Sequence, residues 1–149
     1  QREKVMGYLD EGQSAGAETV IGGKSIDGQG YFMEPTILAN TTDSMSVVRE
    51  EIFGPVLAAQ GFSDDDLDAV AAKANNSVFG LAASIWTQDL SAAHKLAKKV
   101  KAGSVWVNQH NFFDPSLPFG GFKQSGYGRE QGSEAVRTFT EVKSVAIAL

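Results

Sequence analysis

A carboxylate and an aromatic ring stand two residues apart in the segment Arg49–Pro55, as Glu51 and Phe53, just before a Gly-Pro turn and an apolar run that begins at Val56. Side chains of these types at the entrance to a strand can hold a polar group and a flat ring side by side. The same spacing also fits a solvated turn with one buried phenylalanine. On spacing alone, that simpler interpretation is preferred.

Glycines are concentrated in the segment Pro118–Glu130, which has four of them in thirteen positions. Such a density lets the backbone approach a ligand or a neighbouring element closely and supplies turns with positive φ. The segment follows an aperiodic stretch instead of a strand, and it lacks the Gly-Lys-Ser/Thr ending of a phosphate loop. We therefore predict a packed structural loop here and no nucleotide phosphate site.

The chain has two histidines and no cysteine. His94 stands on a predicted helix without a second ligand at metal spacing, so we predict no metal site. His110 stands in an aperiodic loop beside asparagines and phenylalanines, where a site-lining role is open. A Ser-His-Asp triad of His110, Asp114 and a serine is discounted, because no Gly-x-Ser-x-Gly segment accompanies it. The lack of cysteine excludes a disulfide framework, a thiolate zinc site and a cysteine nucleophile within these residues.

Composition places the 149 residues among ordinary globular proteins, with 42% hydrophobic and 21% charged side chains. This length predicts one domain with a single core, and the net charge of -5 argues against a nucleic-acid surface. Apolar stretches fall far short of the roughly 20 residues that cross a bilayer, and the charged start does not resemble a signal peptide. We therefore expect a cytoplasmic protein with neither nucleic acid nor membrane as a partner.

Periodicity predicts the elements that must position these residues. Alternating strands and helices are typical of an open α/β sheet. Ser63 and the three aspartates after it suit a helix N-terminus, whereas the stretch 108–128 has no clear period, as in functional loops. The predicted helices are Gln1–Ala15, a segment that ends near Asn75, and Leu90–Val100; the predicted strands are Ala17–Ile21, Tyr31–Ala39, Val56–Phe62, Leu81–Trp86, Ser104–Val107 and Glu141–Leu149.

Three motifs in order resemble the aldehyde dehydrogenase superfamily: EEIFGPV at Glu50–Val56, NNSVFGLAA at Asn75–Ala83 and PFGGFKQSGYGRE at Pro118–Glu130. The resemblance extends over nearly all of the chain and matches the C-terminal portion of the family. It implies an α/β fold with an open, mostly parallel sheet flanked by helices. The part over 1–139 would belong to the catalytic domain, and 140–149 would be a terminal oligomerisation strand, so that a homo-oligomer joined through Glu141–Leu149 is expected.

The resemblance implies oxidation of an aldehyde to a carboxylic acid with NAD or NADP as cofactor. In that family a cysteine thiolate attacks the aldehyde carbon, hydride passes to the nicotinamide, and an activated water releases the acid. The cysteine, the general-base glutamate and the Rossmann-type domain stand upstream of the segment that matches Gln1. The resemblance thus implies no catalytic residue in this chain, the protein's own N-terminal portion as a partner, and no activity of the 149 residues alone.

The motif match also implies a set of cofactor-binding residues. Glu51 corresponds to the acid that hydrogen-bonds the nicotinamide ribose, and Phe53 to the aromatic residue beside the nicotinamide. The resemblance places Gln1 and Lys4 near the adenosine ribose. The alternative is a protein without catalytic activity, a structural or binding module on the same fold. The presence of both Glu51 and Phe53 argues against it, because such a module does not need residues that hold a nicotinamide.

The loop Gln109–Asp114 corresponds to the variable wall of the family's aldehyde tunnel. Two or three aromatic faces without a cation favour aromatic or long apolar aldehydes, and the loop also resembles that of phenylacetaldehyde-type dehydrogenases. Betaine aldehyde stays open because a cation can bind aromatic walls, whereas the absence of Arg and Lys from the loop argues against a semialdehyde-type or acylating enzyme. The expected wall residues are His110, Asn111, Phe112, Phe113 and Phe119.

Overall fold

The computed structural model describes residues 1–63 and 65–149. They form two compact units, Gln1–Asp64 and Asp65–Leu149, where the sequence predicted a single core. Strand pairing explains the difference. The first three strands form one sheet and the last two form another, so each half of the chain supplies the hydrogen-bond partners of its own strands.

The first unit contains α1 (Arg2–Ser14), β1 (Glu18–Ile21), β2 (Thr36–Ala39), the short α2 (Ser46–Arg49) and β3 (Val56–Ala58). β1 pairs antiparallel with β2, and β2 pairs parallel with β3. Apolar residues at helical spacing on α1 face the buried side of β2 and α2. The core side chains of this unit include Val5, Leu9, Leu38, Met45, Val47 and Ile52.

The second unit contains α3 (Leu67–Asn75), β4 (Ala82–Ile85), α4 (Leu90–Lys99), β5 (Ser104–Val107), a 3₁₀ turn at Lys123–Ser125, and α5 (Gly132–Thr138). β4 and β5 pair in parallel, and the helix between them is the connection that parallel strands require. No helix in the described part of the chain is long and apolar enough to span a membrane.

The α/β class and most of the predicted elements are confirmed. α1 and α4 match their predicted ranges within two residues, whereas β3 stops at Ala58 because its register with β2 ends where Leu38 pairs with Ala58. The cap of α3 is Asp66, whose carboxylate accepts hydrogen bonds from two backbone N–H groups at 3.0 Å; one of the three aspartates, Asp64, lies outside the described residues.

The strand predicted at Glu141–Leu149 is not formed in this structure, where these residues lie outside all helices and strands. A β-strand is defined by backbone hydrogen bonds to a neighbouring strand. Among the described residues, no strand pairs with this segment. All nine residues are exposed, including four large apolar side chains: Val142, Val145, Ile147 and Leu149.

Candidate functional site

The acidic loop, residues 50–54, connects α2 to β3 and presents a carboxylate and a ring to solvent. Ile52 is buried in the core of the first unit, whereas Glu51 and Phe53 on either side of it are exposed, Phe53 by 75%. Anchoring of the middle residue therefore turns both neighbours outward. They line an open groove of about 240 Å³ formed by Val47, Glu50, Glu51, Ile52, Phe53, Gly54 and Val56.

The backbone of the acidic loop is held in an uncommon conformation at Phe53, whose φ is 53°. A bulky L residue in this left-handed region carries strain of about 1–3 kcal/mol, which surrounding contacts must offset. Gln1 provides two such contacts, because its Nε2 donates to the carbonyl oxygens of Ile52 at 3.1 Å and of Phe53 at 2.8 Å. The structure thus joins Gln1 to the acidic loop.

Two further contacts fix the acidic loop on α1. A Cβ at Gly54 would lie 2.6 Å from Cγ2 of the buried Val5, so only glycine permits this approach. The hydroxyl of Tyr8 donates to Oε2 of Glu50 at 2.7 Å. This hydrogen bond to a carboxylate, followed by slight desolvation and the negative charge of Glu50, raises the pKa of Tyr8 above 10.0.

Lys4, the fourth expected cofactor residue, stands apart from the acidic loop. Its Nζ lies 5.8 Å from the centroid of the Tyr8 ring, one turn further along α1, and its side chain is exposed. The structure therefore brings Gln1, Glu51 and Phe53 together and leaves Lys4 on the solvent side of the helix.

A second concavity, the aromatic groove, lies in the second unit and has a volume of about 330 Å³. Its rings pack edge to face: Trp106 and Phe113 at 5.9 Å between centroids, and Phe113 and Phe119 at 5.0 Å. This is the preferred geometry of aromatic pairs. The groove is lined by Gly103, Ser104, Val105, Trp106, Gln109, Phe112, Phe113, Asp114, Leu117, Pro118, Phe119 and Gln131.

Trp106 is one of the rings of this groove, and it is not among the site residues that the sequence predicted. It is buried in β5, and its indole N–H donates to the carbonyl oxygen of Phe112 at 2.9 Å. In the sequence it is one apolar residue of a short buried strand. The signal available was its place near the carboxyl end of a parallel strand that leads into an aperiodic loop, since such ends frequently form sites.

Of the five expected wall residues, Phe112, Phe113 and Phe119 line the aromatic groove. His110 contacts Trp106 instead, with ring centroids 5.5 Å apart and planes at 76°, and its Nδ1 lies 2.8 Å from Oγ of Ser84 on β4. Asn111 takes a left-handed backbone conformation with φ of 58°. Neither His110 nor Asn111 is among the described residues that line the groove.

Asp114 is the only charged side chain among the described residues of the groove. Its Oδ1 accepts hydrogen bonds from the backbone N–H of Ser116 at 2.9 Å and from its hydroxyl at 2.7 Å. These two bonds, the backbone one first, lower the pKa of Asp114 below 3.8. Since Asp114 binds Ser116 and His110 binds Ser84, the structure pairs them with different serines.

The glycine-rich segment 118–130 packs against the rest of the second unit, which confirms the predicted structural loop. A Cβ at Gly103 would overlap the carbonyl oxygen of Gly120. The Oγ of Ser125 accepts from the N–H of Gly80 at 2.9 Å. Nζ of Lys123 donates to two carbonyl oxygens at the end of α3, those of Asn75 and Ser77. The first two residues of the segment, Pro118 and Phe119, also line the aromatic groove.

Comparison with known proteins adds an independent line of evidence. The model of the aldehyde dehydrogenase family matches residues 1–145. The mitochondrial aldehyde dehydrogenase of Leishmania tarentolae is 47% identical over 148 residues, and the betaine aldehyde dehydrogenase of Rhizobium leguminosarum is 44% identical over 152 residues. The solved NAD+ complex of an aldehyde dehydrogenase from Bacillus cereus has a TM-score of 0.91 and 47% identity.

These matches cover nearly all of this chain but a minor part of each relative. The alignments span 99% and 100% of the chain against 29% and 31% of the two curated proteins, and 97% of the chain against 29% of the Bacillus cereus protein. The chain therefore spans about 30% of the length of the curated relatives that it matches.

Proposed function

The chain belongs to the aldehyde dehydrogenase family, and from that premise we propose that it is part of an NAD(P)-dependent enzyme that oxidises an aldehyde to a carboxylic acid. The observation that supports this most directly is the acidic loop, where an exposed carboxylate and an exposed ring flank a buried anchor. The remainder of the protein would supply the nucleophile, because these 149 residues contain no cysteine.

The acidic loop fits a nicotinamide nucleoside by the chemistry of its groups. Glu51 offers carboxylate oxygens, which accept hydrogen bonds from vicinal hydroxyls such as those of a ribose. Phe53 offers a flat apolar face two residues away, in reach of the attached ring. A bound nicotinamide would supply the hydride acceptor; in our proposal, Glu51 and Phe53 hold and orient it, and Gln1 holds the backbone that carries them.

The aromatic groove supports an aromatic or long apolar aldehyde, of the phenylacetaldehyde type, as substrate. Phe112, Phe113 and Phe119 line it together with Trp106 and Leu117. An aromatic contact in good geometry contributes about 0.5–1.5 kcal/mol beyond burial, which is roughly a three- to tenfold preference per contact. The groove presents no basic side chain among its described residues, so it offers no partner to an acidic semialdehyde.

Betaine aldehyde is the second candidate substrate, and Asp114 is the observation that favours it. A quaternary ammonium group can bind between aromatic faces, and a carboxylate with a lowered pKa stays charged near them at neutral pH. Several relatives, including the one from Rhizobium leguminosarum, are named betaine aldehyde dehydrogenases.

Steady-state kinetics of the full-length enzyme distinguish the two candidates. We expect kcat/KM to rank phenylacetaldehyde first, then hexanal, then betaine aldehyde, and Phe113→Ala to lower the phenylacetaldehyde value most. Asp114→Asn is the matched variant, because it should lower kcat/KM for betaine aldehyde only. A preference for betaine aldehyde, or an unchanged ranking in Phe113→Ala, would overturn the aromatic proposal.

The 149 residues alone should neither oxidise aldehydes nor bind NAD tightly, since the acidic loop is the one nicotinamide-type surface that we assign to them. Purified chain and full-length enzyme are compared in the same assay of NADH production. Steady NADH production by the isolated chain would place a nucleophile other than cysteine within it and would contradict this proposal.

A further inference from the structure

Ser84 and His110 form a contact that the proposed function does not use. Ser84 is half-buried on β4, and its Oγ lies 2.8 Å from Nδ1 of His110, 26 residues later in the chain. In the parallel register, Ser84 pairs with Trp106 on β5. The side chain of His110 therefore reaches back over two paired strands and fixes its loop to both.

This contact places His110 at one end of a row of rings. His110 packs edge to face on Trp106, Trp106 on Phe113, and Phe113 on Phe119, with centroid distances of 5.5, 5.9 and 5.0 Å. The last three rings line the aromatic groove, whereas His110 does not. A displacement of the imidazole thus reaches the groove through the ring of Trp106.

The other contacts of the loop fix its start and one edge of the Trp106 indole. Asn108 binds Thr87 with both amide atoms, at 2.9 and 2.8 Å, which fixes the start of the loop. The indole N–H of Trp106 binds the carbonyl oxygen of Phe112, which fixes one edge of the indole. Two aromatic rings pack against the indole of Trp106: the phenyl ring of Phe113 and the imidazole of His110.

We propose that Ser84 and His110 are positioning residues that set the substrate selectivity of the aromatic groove from outside it. The hydroxyl of Ser84 holds the imidazole, the imidazole holds the indole of Trp106, and the indole sets the placement of Phe113 against a bound ring. This inference rests on the proposed function, because it assigns the aromatic groove to the aldehyde.

The test is the ratio of kcat/KM for phenylacetaldehyde to that for acetaldehyde, measured on the full-length enzyme. Ser84→Ala and His110→Ala should each lower this ratio about three- to tenfold, the worth of one aromatic contact. The loss should come from KM for phenylacetaldehyde, with kcat for acetaldehyde unchanged. Ser84→Thr keeps the hydroxyl and should restore the ratio, and Ser91→Ala, at an exposed serine of α4, is the matched control.

The double variant shows whether the two residues act through each other. If they do, Ser84→Ala together with His110→Ala should lower the ratio no further than His110→Ala alone. An unchanged ratio in Ser84→Ala, an equal loss for both aldehydes, or additive losses in the double variant would overturn this inference alone. A wild-type enzyme that oxidises no aldehyde would overturn the proposed function and this inference with it.

Discussion

At the scale of single residues, one side chain of the acidic loop anchors it in the core, and the side chains next to it are exposed to solvent. Ile52 is 8% exposed and Phe53 is 75% exposed, so neighbouring side chains on one short loop have opposite environments. The carbonyl groups of the same two residues accept from Gln1. Glu51 and Phe53 can thus contact a ligand, and the buried Ile52 and the hydrogen bonds from Gln1 hold them in position.

Glu51→Gln in the full-length enzyme should slow hydride transfer more than it weakens cofactor binding. The amide keeps the size of the side chain but offers one acceptor oxygen and no charge, so hydrogen bonds to two hydroxyls become weaker. We expect single-turnover hydride transfer to fall about tenfold or more, equivalent to about 1.4 kcal/mol. Glu134→Gln, at an exposed position of α5 outside the groove, is the control; an unchanged rate in Glu51→Gln would refute the assignment.

Tyr8 should titrate above its ordinary value of 10.0, because its phenol donates to Glu50. The folded state favours the protonated phenol, so the stabilisation is fully present below pH 10 and is lost as the pH rises through the folded-state pKa. Alkaline absorbance titration of the wild type minus that of Tyr8→Phe isolates this group. Glu50→Gln should return the titration toward 10.0, and a titration that stays in place would contradict the assigned cause.

At the scale of elements, the sequence predicted those helices that are long enough for their apolar residues to show a helical period. α1 and α4 are of this kind, and the aspartates before α3 marked its start. α2 is only four residues long and α5 has no side-chain cap, so neither shows a period or a start signal. The left-handed turn at Phe53 and the ring row through Trp106 depend on contacts between distant residues, which one sequence does not display.

Gly103→Ala should disrupt the second unit strongly, because a Cβ at this position would overlap the carbonyl oxygen of Gly120. Backbone cannot yield as a flexible side chain does, so β5 and the glycine-rich segment would have to separate. We expect a loss of about 3 kcal/mol in the free energy of unfolding, by denaturant titration. Gly7→Ala on α1, where nothing lies within 4 Å of the added Cβ, should instead stabilise by about 0.5–1 kcal/mol. Equal stabilities of the two variants would refute the packing argument.

At the scale of the whole molecule, many large apolar side chains of the chain are exposed. Exposed large side chains occur on both units and along the C-terminal segment, among them Ile21, Phe32, Phe62, Trp86 and Leu149. Exposed apolar patches are one mark of surfaces that other protein covers. Because the relatives are about three times as long as this chain, we propose that the rest of the full-length protein and a second subunit cover it.

The segment Glu141–Leu149 should pair with a strand of another subunit in the full-length enzyme. Its residues are exposed and lie outside every strand of this structure, yet they are rich in Val and Ile, which favour extended backbone. Unpaired N–H and C=O groups on such a segment are satisfied when it adds to the edge of a sheet. Deletion of 141–149 should therefore yield monomers or aggregates by light scattering.

Two substitutions at one position of this segment test whether the deletion acts by removing strand pairing or only by shortening the chain. Val145→Pro removes one backbone N–H and cannot donate to a ladder, so it should weaken assembly in the same way as the deletion. Val145→Thr keeps the N–H and the β-branched shape, and the assembly should persist. If the deletion variant and Val145→Pro both retained the mass of the wild-type assembly in light scattering, the segment would not be the one that joins the subunits.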